Sequence, residues 1–299
     1  MTEFLQQLIN GLSLGSIYAL IALGYTMVYG VLRFINFAHS EVFMMGAVTG
    51  YYLGRFVPSR SIAGGLAVLI AAMVVCALLG IIIERLAYRP LRDRSKLTVL
   101  ITAIGVSLLL QNVTQHRFFF GATTKPFPPL FPSAAVNLGH DVRISSSQII
   151  IVVTSLVLLL VLQFIVHRTR IGTAMRAVSF NHQAAALMGI NIDVIISFTF
   201  GLGSALAAAG GILYSLNYQS VDPLMGTLPG LKAFVAAVLG GIGNVSGAAL
   251  GGVLIGMIET FVNGSRWSTY TDAIAFAVLI LILLFRPAGI MGKIQVEKV

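Results

Sequence analysis

The sequence predicts an all-α polytopic membrane protein of eight or nine transmembrane or re-entrant helices, some of them discontinuous at glycine-rich points. Three observations predict it. Of 299 residues, 57% are hydrophobic and only 10% charged, against about 25% charged in soluble domains, and the mean hydropathy is +0.93. Uncharged runs cover 4–32, 61–83, 97–115, 144–166, 194–221 and 233–258. Each approaches or exceeds the ~20 residues a helix needs to cross ~30 Å of hydrocarbon. The runs are continuous rather than short and alternating, which excludes a membrane barrel.

Breaks between runs give nine segments: 8–31, 36–54, 62–84, 97–117, 147–166, 194–216, 228–241, 246–263 and 267–285. The first has no basic region or small-residue cleavage site before it, so it is expected to stay as a span. The second begins with Asn36, His39, Ser40 and Glu41, and the third contains the single cysteine, Cys76, expected to be a packing residue. The fourth carries Gln111, Asn112 and Gln115. After it, 118–146 holds Pro126, Pro128, Pro129 and Pro132 and is expected to be extended or turned. The seventh is short and ends in Gly240-Gly241-Ile242-Gly243-Asn244; it and the second are candidates for re-entry. The eighth contains Glu259, and the ninth opens on Trp267 and Tyr270, suited to an interfacial aromatic belt. The whole of 1–299 reads as one transmembrane domain.

The net charge of +9 does not signal nucleic acid, because the Lys and Arg residues lie in the short connections between apolar runs. With the N-terminus outside, twelve fall inside, among them Arg33, Arg85, Arg168, Arg286, Lys293 and Lys298. Six fall outside, and Lys232 lies within a segment. This bias predicts N-out and C-in. The inner connection 167–193 has neither proline nor glycine from 174 to 188. Met175, Val178, His182 and Ala185 share one stripe there, predicting a short helix that Gly189 stops. A helix of that length needs a partner surface or the lipid headgroups to hold it.

Glycines recur every four residues at 46, 50 and 54 and again at 243, 247 and 251, with Gly252 and Gly256 beside the second set. The default reading is close helix packing. Gly241, Gly243 and Asn244 also interrupt a span, and free helix ends near the midplane are where transporters hold polar solutes. Polar groups inside membrane segments pair or face a cavity. That rule makes Asn36, His39, Glu41, Gln111, Asn112 and Glu259 candidate pathway residues, with helix capping by Asn36, Ser40 and Glu41 the alternative. Gly11-Leu12-Ser13-Leu14-Gly15 spells a nucleophile elbow but lies in an apolar helix, outside the strand–turn–helix context. No His-Glu-x-x-His pair and no phosphate-binding Gly-x-x-x-x-Gly-Lys loop is present.

At these residues the chain resembles a known family. Gly15-Ser16-Ile17-Tyr18-Ala19-Leu20, the stretch 35–41, Glu84-Arg85-Leu86-Ala87-Tyr88-Arg89-Pro90, the stretch 232–244 and Arg286-Pro287-Ala288-Gly289-Ile290 are similar to bacterial branched-chain amino-acid ABC transporter permeases, and most to their H-type subunits. The resemblance implies an alternating-access permease in the inner membrane. It also implies a second, M-type permease, two ATP-binding cassette ATPases that hold ATP and Mg, and a periplasmic amino-acid-binding protein; no cofactor is expected on this chain. Gln183-Ala184-Ala185-Ala186-Leu187-Met188-Gly189 resembles the importer coupling motif, with Gln183 where the motif has Glu. The coupling loop then includes Arg170, Arg176, Gln183, Ala184, Ala185 and Gly189. Ser40 stands where the family usually has Gly. Rival readings are a permease of the same superfamily for a sugar, urea or amide, a passive channel, and an intramembrane enzyme.

Overall fold

The computed structural model describes residues 2–92, 94–133, 135–137 and 143–292; Lys293 and Lys298 lie outside them. In chain order come α1 (Thr2–Leu32), α2 (His39–Leu53), α3 (Ile62–Ile83) and α4 (Lys96–Gln115). Short strands β1 (Lys125–Pro126), β2 (Ala135–Asn137) and β3 (Arg143–Ser145) follow, then α5 (Ser146–Arg168), α6 (Arg170–Phe180) and α7 (His182–Leu187). The chain ends with α8 (Ile192–Tyr218), β4 (Ser220–Val221), α9 (Thr227–Gly240), α10 (Val245–Asn263) and α11 (Thr271–Phe285). Antiparallel pairing joins β1 to β4 and β2 to β3, so the described residues between α4 and α5 are extended and turned, as the prolines at 126, 128, 129 and 132 require.

Helices start where a side-chain oxygen can take a free N–H of the first turn. Ser61, Ser95, Thr169, Asn191 and Asn244 cap α3, α4, α6, α8 and α10, and Ser145 with Gln148 forms a capping box on α5. The predicted single helix over 174–188 is two. Asn181 is extended and its side chain accepts the Ala184 N–H, so it ends α6 and caps α7. The stop at Gly189 is as expected: its φ is 80°. Gly189 N–H bonds the Ala186 carbonyl and Ile190 N–H the Ala185 carbonyl, closing the last turn.

Among the described residues seven helices are long and apolar enough to cross a membrane: α1, α3 with its extension to Leu91, α4, α5, α8, α10, and α11 with the turn before it. With 15 and 14 residues, α2 and α9 are too short, about 22 Å at 1.5 Å per residue. The chain is a multi-pass membrane protein. One end of the bundle carries Arg33, Arg89, Arg92, Arg168 and Arg286 and the α6–α7 loop; this is the basic end. The other, the strand end, carries the paired strands.

At the centre α1 crosses α8, where the Gly24 carbonyl would lie 3.3 Å from a Cβ on Gly203. Helix α10 lies antiparallel along α1, and α3 along α8. The short helices are exchanged between them: α2 packs on α8 and α9 on α1, while α4 and α11 flank α2 and α9. The run α1–α4 is thus repeated upside down by α8–α11, an inverted repeat about an axis in the membrane plane. Leu14-Gly15-Ser16 and Leu202-Gly203-Ser204 echo it in sequence. The glycine strips close these seams: Gly46 on Ala208, Gly251 on Ala236, Gly252 on Ala19, Gly256 on Gly15. Cys76 is fully buried among them, as a packing residue.

A side chain at Gly252 would strike the Ala19 backbone, whereas one at Gly105 would meet nothing within 4 Å. Gly252→Val is therefore expected to cost about 1–3 kcal/mol by overpacking and to lower the thermal midpoint of the purified protein. Gly105→Val leaves that midpoint unchanged; equal midpoints for the two variants would refute the close α1–α10 seam.

Candidate functional site at the helix junction

The first break begins at Arg33, whose φ of 55° turns the chain out of α1 after its N–H bonds the Tyr29 carbonyl. Residues 33–38 then run back into the bundle. Asn36 pins them: its Oδ1 accepts the Tyr88 hydroxyl at 2.6 Å and the Ala38 N–H at 3.1 Å. Tyr88 reaches Asn36 from a π turn (Glu84–Tyr88) at the end of α3. Pro90, lacking an N–H and crowding the carbonyl four residues before it, loosens the helix there. His39 opens α2 with its ring against Gly24 and 4.7 Å from the Tyr25 ring. Gly24 precedes the last residue of α1 by eight, so α2 starts roughly 12 Å inside the bundle and runs to the strand end.

The second break descends from the other side. After β4 the chain passes Asp222, whose carboxylate accepts the Leu224 N–H at 2.7 Å, and reaches Gly226 and Thr227. Gly226 lies so close to the Ser40 carbonyl and to Glu41 Oε2 that a Cβ would come within 2.6 and 2.8 Å of them; Gly230 likewise clears Ser40. From here α9 runs to the basic end. Two half-helices therefore point their N-termini at each other inside the bundle, each bringing about half a positive charge.

Glu41 stands between them, 1% exposed. Its Oε1 accepts the Gln111 amide at 2.9 Å and the Ser107 hydroxyl at 3.4 Å, both from α4, and the same Gln111 nitrogen donates to Thr227 Oγ1 at 3.1 Å. Glu41 Oε2 and His39 Nε2 are buried without a partner, and no Lys or Arg pairs with Glu41 among the described residues. Of the helix-start role open to Asn36, Ser40 and Glu41, Asn36 takes a part: its Oδ1 accepts the N–H of Ala38, the cap position of α2. Ser40 Oγ instead turns back to the Phe37 carbonyl, and Glu41 reaches across to α4.

The other candidates separate. Glu259 is not at the junction: Lys232 Nζ binds it at 2.7 Å and Asp272 at 2.7 Å, and Tyr18 donates to its second oxygen at 2.8 Å. Asn112, one residue past Gln111, faces away and bonds the Leu108 carbonyl. Gly241, Gly243 and Asn244 form the α9–α10 turn at the basic end, not at the midplane. Asn244 caps α10 and donates to the Met291 carbonyl at 2.9 Å. That turn lines a cleft of about 570 Å³ with Tyr29, Arg33, His167 and Arg176. Sequence reading missed Gly226, Gly230, Thr227 and Ser107; the four-residue glycine spacing ahead of α9 was the available signal.

Beside that cleft, the loop residues Arg170 and Arg176 lie on α6, and Arg176 donates to the Val166 carbonyl. Gln183 and Ala184 are exposed and Ala185 is buried. The loop is tied to the first break: His182 Nε2 donates to the Val31 carbonyl at 3.0 Å and Arg33 to the Ser179 carbonyl at 3.3 Å. Next to it Arg92 bridges buried Glu84 and Asp193, Ser197 donates to Glu84 at 2.5 Å, and Arg89 also meets Asp193.

Removing one partner of a buried ion pair typically costs about 3–5 kcal/mol, while apolar replacement of both is near neutral. Lys232→Met is therefore expected to depress the thermal midpoint strongly and Lys232→Met with Glu259→Leu to recover most of the loss. A double variant no better than the single one would contradict the pairing.

Residues 7–283 match the family of permease components of branched-chain amino acid transport systems. The high-affinity branched-chain amino acid permease protein BraD of Pseudomonas aeruginosa is 43% identical, over 99% of this chain and 98% of its own length. LivH of Escherichia coli K12, a high-affinity branched-chain amino acid permease protein, is 41% identical over the same shares. Among solved structures, PsaBC from Streptococcus pneumoniae in complex with Fab aligns at a TM-score of 0.48 and 14% identity, over 95% of this chain and 92% of that one. A match along nearly the whole chain places this protein in the family of branched-chain amino acid transport system permease components.

Proposed function

We propose that this chain is the H-type permease of an ATP-driven importer that moves leucine, isoleucine and valine by alternating access across a bacterial inner membrane. The observation that carries the mechanism is the bonding of the α6–α7 loop to the segment that leads into the midplane junction. A push on the loop reaches Val31 and Arg33, then 33–38, then the first turn of α2. The basic end is cytoplasmic on the charge bias, which puts the N-terminus and the paired strands outside, where an amino-acid-binding protein docks.

The ATPases, which hold ATP and Mg, dock on the loop. Phe180, Leu187 and Met188 are 86%, 88% and 82% exposed there, an apolar surface beside Arg176 that needs a partner. The second permease, of M type, covers the face formed by α4, α9 and α11. That face exposes Gln111, Thr227 and half of Asp272, polar groups that lipid does not favour. The pathway then lies between the two permeases, with the junction on its wall.

Leu187→Asp and Gly189→Pro are expected to leave the chain in the membrane yet reduce ATP-driven leucine uptake by more than roughly tenfold, as a proline that cannot adopt a positive φ must. In a pull-down on a tag carried by this chain, the ATPases should be lost with Leu187→Asp. Normal uptake by both variants, or uphill transport by the purified chain alone, would overturn the reading.

A further inference from the structure

We infer that Glu41 Oε1, Ser107 Oγ and Thr227 Oγ1 form an ammonium-binding site in mid-membrane, held closed by the Gln111 side-chain amide, which takes the place of the amino group of the passing solute. The inference rests on the importer reading and names the group of the solute that the junction recognises.

The argument starts from charge. Two opposed helix N-termini make a place for an anion, so the carboxylate of an amino acid is the first solute group to expect there. The protein has already filled that place with Glu41, and the second oxygen of Glu41, buried and without a partner, points at the start of α9 beside Gly226. With the positive ends satisfied from within, what remains to be satisfied is the carboxylate. Elsewhere in the bundle a buried carboxylate has its cation: Glu259 has Lys232, and Glu84 has Arg92. At Glu41 no lysine or arginine takes that role among the described residues.

The donor that does occupy the site is a nitrogen that reaches both half-helices. The Gln111 nitrogen sends its two hydrogens to oxygens on two different half-helices, Glu41 Oε1 and Thr227 Oγ1, while Ser107 reaches the same carboxylate oxygen from one turn back on α4. A primary ammonium has three hydrogens for these three oxygens and brings the charge that the amide lacks. Its bond to the carboxylate is stronger for that reason. Gln111 also sits on a helix that can withdraw: on α4 only Val99, Ala103 and Thr114 are buried. The α4 face beside Thr227 opens toward the proposed permease–permease pathway, so a solute arriving there meets the site amino group first, with its carboxylate and side chain directed away from the two N-termini.

The test uses the assembled transporter in liposomes, with Cys76→Ala as background and a thiol at Ser107→Cys or, independently, at Thr227→Cys. Each is labelled with 2-aminoethyl and with 2-sulfonatoethyl methanethiosulfonate, and the rates are normalised to a small thiol in solution. With Glu41 in place the cationic reagent should react at least roughly tenfold faster at either thiol, and Glu41→Gln should bring the two rates within roughly twofold. A ratio unchanged by Glu41→Gln at both positions would overturn the site. Leucine uptake gives the second readout. A glutamine at 41 still accepts the bonds from Gln111 and Ser107, so a merely structural Glu41 leaves uptake intact. The ammonium site requires a loss of roughly tenfold or more with ATP hydrolysis retained. Absence of ATP-driven uptake in the parent assembly would strike the importer reading alone, because the labelling ratio still decides the site.

Discussion

A buried carboxylate with no cation among the described residues, set where two half-helices meet, is the constraint on which the rest of this structure turns. Placing Glu41 there costs about 2.5–3.5 kcal/mol on insertion scales, and the stabilisation comes from the Gln111 amide and the Ser107 hydroxyl together with the two helix N-termini. The first turn of α2 and the start of α9 each bring partial positive charge to within a turn of it. That arrangement exists only if both helices stop at the midplane. Stopping them leaves polar backbone at a depth where only burial in protein or a wet cavity is tolerated. Asn36 with Tyr88, the Arg33 turn and the absence of side chains at Gly226 and Gly230 bury it.

The inverted repeat explains why two half-helices are present and why they point the same chemical end at each other. A helix that enters from one face and its copy that enters from the other necessarily meet head to head, N-terminus to N-terminus, when each is cut short at its start. The repeat is not kept in its charges. The α9 half carries Lys232, neutralised by Glu259 and Asp272, whereas the α2 half carries Glu41, which no Lys or Arg neutralises among the described residues. Packing preserves the symmetry, and function uses the difference.

Much of this was legible beforehand. Uncharged run lengths gave the helices because backbone in lipid has few alternatives, and Gly189 gave the stop of α7 because the positive φ there favours glycine. The polar start of α2 was visible as Asn36, His39 and Glu41. Which of them meet was not, since that depends on α4 and α9 arriving from 66 to 186 residues away. The break at Gly241 and Gly243 drew attention from the midplane because glycine marks both a turn at a helix end and a gap within a span. Only the antiparallel seam of α10 on α1, which sets Gly243 beside Gly30, puts it at the basic end. Asn181 was missed as a helix break because an asparagine that caps one helix is hard to tell by composition from one riding on a longer helix's exposed face.

The contacts around the junction differ in how readily they can break, and that ordering gives the transport cycle a direction. The seams of α1 with α10 and of α3 with α8 are closed by glycine against backbone, and interiors packed so tightly change by discrete jumps rather than by continuous give. Helix α4 touches the junction through Gln111 and Ser107 on an otherwise exposed helix. The segment 33–38 is held by hydrogen-bonded Asn36, by the rings of Phe34 on Tyr88 and Phe37 on Phe234, and by the tie of Arg33 to the loop. In the proposed cycle a force applied at α6 and α7 reaches 33–38 and the first turn of α2 through the bonds to Val31 and Arg33, while the glycine-closed pairs stay fixed. A shift of that turn would carry Glu41 away from Gln111, so that the element nearest the loop and the donor on α4 part in a single step.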